Sequence, residues 1–328
     1  MKKEIFILVI KRIFSSVLVL FLLISFLFFL LRLSPGDPSL KYFSPDLSPQ
    51  LAAKIRESFN LDKSLINQYS SFLLNLTRGN FGISFTYRIP VFSVIMDFLP
   101  FTLLFSITSF IIQLVLGFFL ASLSIKKING KLDKAISQIS LIIYAAPTFV
   151  IGVLLVLIFS SSLNILPSSG LSSFENNSYP LIPKLMDNLS HLIMPLITLS
   201  LGGTAVFYKY LRDNFENVYN RTFITYLRSY GIPEKNIYKQ NVIPNAINPL
   251  ISIAGVELGI LFSGALITEV IFGLPGMGRL TINAILSRDY PLIIGTTFVS
   301  GVLVIITNLV ADILKVKLDK RLIKGLLN

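Results

Sequence analysis

The sequence predicts an all-α polytopic membrane protein with six transmembrane helices, on three observations. Of its 328 residues, 53% are hydrophobic and only 14% are charged, against roughly 25% charged in an ordinary soluble domain. Mean hydropathy is +0.73. Six apolar stretches come near or exceed the about 20 residues that a helix needs to cross the hydrocarbon core. The formal net charge of +12 does not point to nucleic acid, because the Lys and Arg lie between apolar runs, as the positive-inside rule arranges them in membrane proteins.

The first span is expected at Ile13–Leu31, which is nearly all Phe, Leu, Ile and Val. Lys2, Lys3, Lys11 and Arg12 precede it like the n-region of a signal peptide. Its apolar run is too long for such a peptide, and no small-x-small cleavage site follows. Ser34-Pro35-Gly36-Asp37-Pro38 ends the helix instead, so the segment is expected to stay as an anchor. The remaining spans are expected near Leu99–Ser124, Ile136–Leu163, His191–Phe207 (short, with Pro195), Leu250–Phe272 and Leu292–Leu314.

Orientation follows from the connections. Nineteen of the 29 Lys and Arg fall on the two termini and the even-numbered connections. Most of the others lie at or in the long first loop, which counts little in the rule. Both termini are therefore expected in the cytoplasm of a multi-pass plasma-membrane protein. The first outer loop, Ser34–Phe98, should hold an amphipathic helix over Ser48–Asn60 capped by Ser48 and a turn at Gly79-Asn80-Phe81-Gly82. The expected organisation is an anchor helix with its outer loop (1–97), a transmembrane domain (98–314) and a basic cytoplasmic tail (315–328).

Several chemistries have no residues to carry them. The chain has no cysteine and one histidine, which excludes thiolate and histidine-rich metal sites. Gly130-Lys131 is the only Gly-Lys pair and lacks the rest of a P-loop, so the chain is not expected to hydrolyse ATP. No nucleophile elbow or zinc-binding helix is present, and no cofactor is implied. His191 reads as an interfacial polar residue. Glu257 and Glu269 are ionisable residues inside the fifth span; they either pair within the bundle or line a polar pathway. Asp312 lies close enough to the span's end to be solvated.

The inner connection Tyr208–Pro249 carries the clearest pattern. Phe223, Tyr226, Leu227 and Tyr230 recur at the spacing of one helix face, with Thr225, Arg228 and Ser229 on the polar side. Gly231 fits the left-handed residue that ends a helix. A second helix starts near Pro233-Glu234 and is expected to break at Pro244 and Pro249. Such a short aromatic helix either lies in the lipid interface or docks in a groove of a soluble partner.

This segment resembles the loop that carries the EAA signature of ABC-importer permeases. The glycine of that signature matches Gly231 and its later proline matches Pro244, while its Glu-Ala-Ala positions hold Thr225, Tyr226 and Leu227. Nearly the whole chain is similar to the dipeptide, oligopeptide and nickel branch of that family. The similarity runs through Arg32–Pro38, Asn60-Leu61-Asp62, Arg78–Gly82, Leu99-Pro100-Phe101-Thr102-Leu103, Ala146-Pro147-Thr148-Phe149, Leu166–Gly170 and His191–Pro195. The most specific stretch is Glu269–Leu280, followed by Arg288-Asp289-Tyr290-Pro291.

The resemblance implies a type I ABC importer permease fold. It implies as partners a second homologous permease, two cytoplasmic ATPase subunits and an extracytoplasmic solute-binding protein, with peptides or similar small solutes as cargo. Phe223–Gly231 would be the coupling helix. Gly255, Gly259 and Ser263 recur every four residues and allow a close helix approach, within the chain or to the second permease, or else line the path. Gly273, Pro275, Gly276 and Gly278 form an irregular turn that is either a gate, a contact for the binding protein or a plain tight loop. A proton-coupled secondary transporter using Glu257 or Glu269 is the competing expectation, though the internal repeats common in that class are not found. A passive membrane anchor would leave the patterned loop unexplained.

Overall fold

A computed structural model describes residues 2–33, 64–175, 178–247, 250–262 and 265–318. The helix expected at 48–60, the motifs at 34–38 and 60–62, Pro249 and Ser263 lie outside the described residues.

Among the described residues the architecture is helical, with one isolated bridge between Ile83 and Pro90. The helices are α1 (Lys2–Leu33), α2 (Leu65–Thr77), α3 (Val91–Ser124), α4 (Lys131–Ala145), α5 (Thr148–Leu155), α6 (Leu181–Tyr219), α7 (Thr222–Ser229), α8 (Glu234–Ile237), α9 (Ile243–Ile247), α10 (Leu250–Phe262), α11 (Leu266–Ile271), α12 (Met277–Leu286) and α13 (Tyr290–Leu318). Five helical segments are long and apolar enough to cross a membrane, and a sixth is a bent pair.

Three expected spans differ in form. The third is not one helix, because α4 and the α5 segment meet at an angle of 100°. Pro147 cannot donate to the helix ladder, and the residue before a proline is driven out of the helical region; Ala146 is extended accordingly (φ −77, ψ 129). The fourth is longer than its apolar core suggests. α6 runs 39 residues straight through Pro195, about 58 Å at 1.5 Å per residue, so it projects well beyond a hydrocarbon core of about 30 Å. The fifth carries a non-helical residue, since Ala265 lies off the helix (ψ 52) just before α11 begins at Leu266.

The chain enters and leaves the bundle at the same end, where the α3–α4 and α6–α10 connections also lie. At this end, named inner for the expected orientation, Phe207, Tyr208, Leu211 and Phe215 of α6 pack with Ile237 and Val242. At the other end, Val91, Val94 and Ile95 of α3 pack with Met277, Leu280 and Leu292. α1 lies outermost, joined to α13 through Leu20, Ile24, Phe28 and Ile294. α2 folds back on it, with Phe72 stacked on Phe28 (4.9 Å) and Tyr69 Oη 2.6 Å from Ser25 Oγ.

Candidate functional site

The patterned inner loop forms one compact unit. α7 starts two residues after α6 ends and closes with a Schellman turn: Gly231 N–H donates to Arg228 O (2.9 Å) and Ile232 N–H to Leu227 O (3.3 Å). Gly231 has φ +72, the conformation that glycine adopts without steric cost.

The sequence placed Phe223, Tyr226, Leu227 and Tyr230 on one face, but the structure divides them. Ile224 is fully buried (0%), and Leu227 packs half-buried beside it on the inner core. Phe223, Tyr226 and Tyr230 point away from the bundle and are 37%, 61% and 67% exposed. The helix therefore has two apolar stripes, an inward one at i, i+3 and an outward aromatic one at i, i+3, i+7. Ile224 was missed because helical spacing alone cannot say which stripe meets the core. The two exposed rings meet edge to face at 4.8 Å with their hydroxyls 2.7 Å apart, and this hydrogen bond raises the Tyr226 pKa above that of an ordinary phenol.

Arg228 holds the unit together. Its guanidinium lies 5.6 Å from the Tyr219 ring centroid and its Nε is 2.5 Å from Glu234 Oε1. Pro244 does not break the second helix. It is the exposed second residue of α9, and the helix reaches it through a π-helical turn at Tyr238–Val242, whose wider bore accommodates a residue without an N–H donor. Behind the unit, Arg212 of α6 binds Asp133 of α4 at 2.9 Å, and also Asp213 and Glu216.

At the opposite end the structure brings the glycine loop and Glu269 into one clamp. Glu269 is fully buried. Thr102 Oγ1 donates to its Oε1 (3.1 Å) and Arg279 N–H to its Oε2 (3.0 Å), while Met277 N–H donates to Thr102 Oγ1 (2.7 Å). A Cβ at Gly276 would stand 2.2 Å from the Glu269 carboxyl carbon, and one at Gly278 2.5 Å from Leu266 Cα. Gly273 turns the chain with φ +62, and its carbonyl accepts from the Arg279 guanidinium. Pro275 sits half-buried between them.

The second outer loop seats on this clamp through Gly170 N–H to Phe272 O (2.8 Å). His191 anchors that loop, with Nδ1 3.1 Å from Ser169 O, beside Asp187, which accepts from Ser173 N–H and Oγ. Asp289, within the Arg288–Pro291 motif, is fully buried and ties the first outer loop to α13. It accepts from Ser84 Oγ (2.5 Å), Thr86 N–H (2.8 Å) and Leu292 N–H (3.2 Å). An aspartate just ahead of Tyr-Pro at the start of a span is an N-cap signal.

Glu257 is separate from the clamp. It is half-buried on α10 and makes no hydrogen bond or ion pair among the described residues. Gly255 and Gly259 face α13 of the same chain, where their added Cβ atoms would stand 2.1 Å from Ala311 Cβ and 3.0 Å from Thr307 Oγ1.

The family described as binding-protein-dependent transport system inner membrane component matches residues 113–324, and its N-terminal counterpart matches residues 5–108. The chain belongs to this family of transport-system inner-membrane components. It is 31% identical to an oligopeptide transport system permease protein of Bacillus subtilis over 96% of this chain and 98% of that one. A dipeptide transport system permease protein of Lactococcus lactis is also 31% identical, over 95% and 98%. A nickel import system permease protein of Staphylococcus aureus is 30% identical, over 94% and 90%. Among solved structures, the MetNI methionine ABC transporter in inward-facing conformations matches with TM-score 0.52 at 16% identity, over 72% of this chain and 97% of that one. The fold is that of a type I ABC importer permease, and the chain is a multi-pass membrane permease of the peptide and nickel branch.

Proposed function

We propose that this permease forms one half of the translocation pathway of an ATP-driven importer for peptides or similar small solutes, with its energy supplied through α7. Its partners would be a second homologous permease, two cytoplasmic ATPases and an extracytoplasmic binding protein. The chain itself does no catalysis in this reading, in keeping with its lack of a P-loop. Both termini and α7 face the cytoplasm, in keeping with the distribution of Lys and Arg. Residues 1–97, 98–314 and 315–328 serve as anchor with outer loop, transmembrane domain and tail.

The observation that carries the proposal is the outward stripe of Phe223, Tyr226 and Tyr230 on a helix whose other stripe is locked into the bundle. A groove on an ATPase would cover the rings, and its movement would pass through Ile224 and Leu227 to α6. That 39-residue rod reaches the outer loops at His191, where the Glu269 clamp and Gly273–Gly278 serve as the outer gate. The competing use of Glu269 as a proton carrier has little to favour it, because both carboxylate oxygens already accept hydrogen bonds in a site closed to water. Glu257 is the carboxylate left for the pathway, and Gly255 and Gly259 serve packing within the chain.

The test is co-purification of the ATPase subunits with Tyr226→Asp at matched membrane abundance. Loss of the ATPases with a normally folded permease is the expected result; full retention and full uptake would remove α7 from the coupling role.

A further inference from the structure

We propose that the cleft between α1, α10 and α13 at the α7 end of the bundle binds the phosphodiester headgroup of an anionic glycerophospholipid. The cleft measures about 370 Å³. On one side Arg12 Nε meets Asp312 Oδ2 at 3.0 Å. Lys315, one turn beyond Asp312, lines the cleft without an ion pair among the described residues. Two cations against one carboxylate leave one positive charge in excess, the complement of a phosphodiester. Ser16, Ser252 and Asn308 add two hydroxyls and an amide from three different helices, and none makes a side-chain hydrogen bond among the described residues.

The surroundings select a lipid over a soluble anion. α1 exposes Phe14 and Val17, the sequence neighbours of the lining residues Ile13 and Ser16, an apolar surface suited to the hydrocarbon. Above the polar groups the walls are Val256 and Ile305, a surface that an acyl chain would cover and inorganic phosphate would leave bare. Basic pockets between transmembrane helices at this depth are suited to lipid headgroups. The site needs only that the chain spans a bilayer and is independent of which partner covers α7.

Native mass spectrometry of the full-length chain, titrated with phosphatidylglycerol or phosphatidylcholine, tests it. Lys315→Gln keeps the Arg12–Asp312 pair and should lower phosphatidylglycerol occupancy about fivefold, the effect of one cation at a membrane surface, with phosphatidylcholine occupancy unchanged. Lys134→Gln, an exposed cation at the same end of the bundle, should change neither. Unchanged phosphatidylglycerol occupancy in Lys315→Gln, an equal loss in Lys134→Gln, or displacement of the lipid by equimolar inorganic phosphate would each overturn the assignment.

Discussion

The two ends of the bundle are finished differently. At the outer end, Glu269, Asp289 and His191 are buried, and each is tied by hydrogen bonds to a segment distant in sequence. At the inner end, α7 shows three aromatic rings to its surroundings and is held by one short apolar stripe, a glycine turn and an exposed ion pair. An end that satisfies its own polar groups keeps its shape without help. An end that leaves aromatic surface open is completed by something else. The contrast fits the proposal that α7 meets a partner while the outer loops keep their own shape.

The largest effects are therefore expected at the outer end. Glu269→Ala leaves Thr102 Oγ1 and the Arg279 N–H buried without an acceptor. Each stranded group costs about 1–3 kcal/mol, so a total loss of at least about 2 kcal/mol should appear in detergent unfolding and as reduced membrane abundance. Gly276→Ala should behave similarly, because the added Cβ would overlap the Glu269 carboxylate and overpacking costs about 1–3 kcal/mol. Stability equal to the parent in both variants would dissolve the clamp. Asp289→Ala should follow, losing the cap of α13 at about 1 kcal/mol together with its bonds to Ser84 and Thr86.

The inner end sharpens the comparison through two neighbours on one helix. Leu227→Ala removes a half-buried contact with the inner core and should cost about 1 kcal/mol of stability, with some loss of ATPase association. Tyr226→Ala should leave stability unchanged and reduce association alone. The reverse pattern would mean that the two stripes have exchanged roles.

These differences explain what the sequence disclosed. The end of α7 at Gly231 was legible because a left-handed glycine after a helical run is a local signal. Glu269 was legible as an odd charge in an apolar span, but its partner Thr102 lies 167 positions away, and no local pattern joins them. The bend at Ala146-Pro147 had its signal in the proline, yet an unbroken apolar run concealed it. Ile224 was hidden among apolar neighbours, since only tertiary packing decides which stripe of α7 turns inward. Asp289 carried an N-cap signal, whereas its bond to Ser84 could come only from the fold.

The smallest effect is expected at the ion pair that braces α7. Arg228 and Glu234 are in contact, but their side chains are 45% and 59% exposed. Glu234 is the main cause of the raised Arg228 pKa; the guanidinium is charged at neutral pH in the folded and the unfolded chain alike, so whatever stability the raised pKa reflects is fully present there and is lost only at strongly alkaline pH. Exposed pairs contribute roughly 0–1 kcal/mol and are screened by salt. Glu234→Gln should thus shift the unfolding midpoint slightly at low ionic strength, and the difference from the parent should vanish in about 1 M salt, where the screening length falls to about 3 Å. Arg228→Met should cost more than Glu234→Gln, because Arg228 also lies over the Tyr219 ring and methionine restores only part of that contact. A salt-independent loss from Glu234→Gln, as large as that from Glu269→Ala, would mean that the inner end is locked as firmly as the outer one, and the division of labour between them would fall.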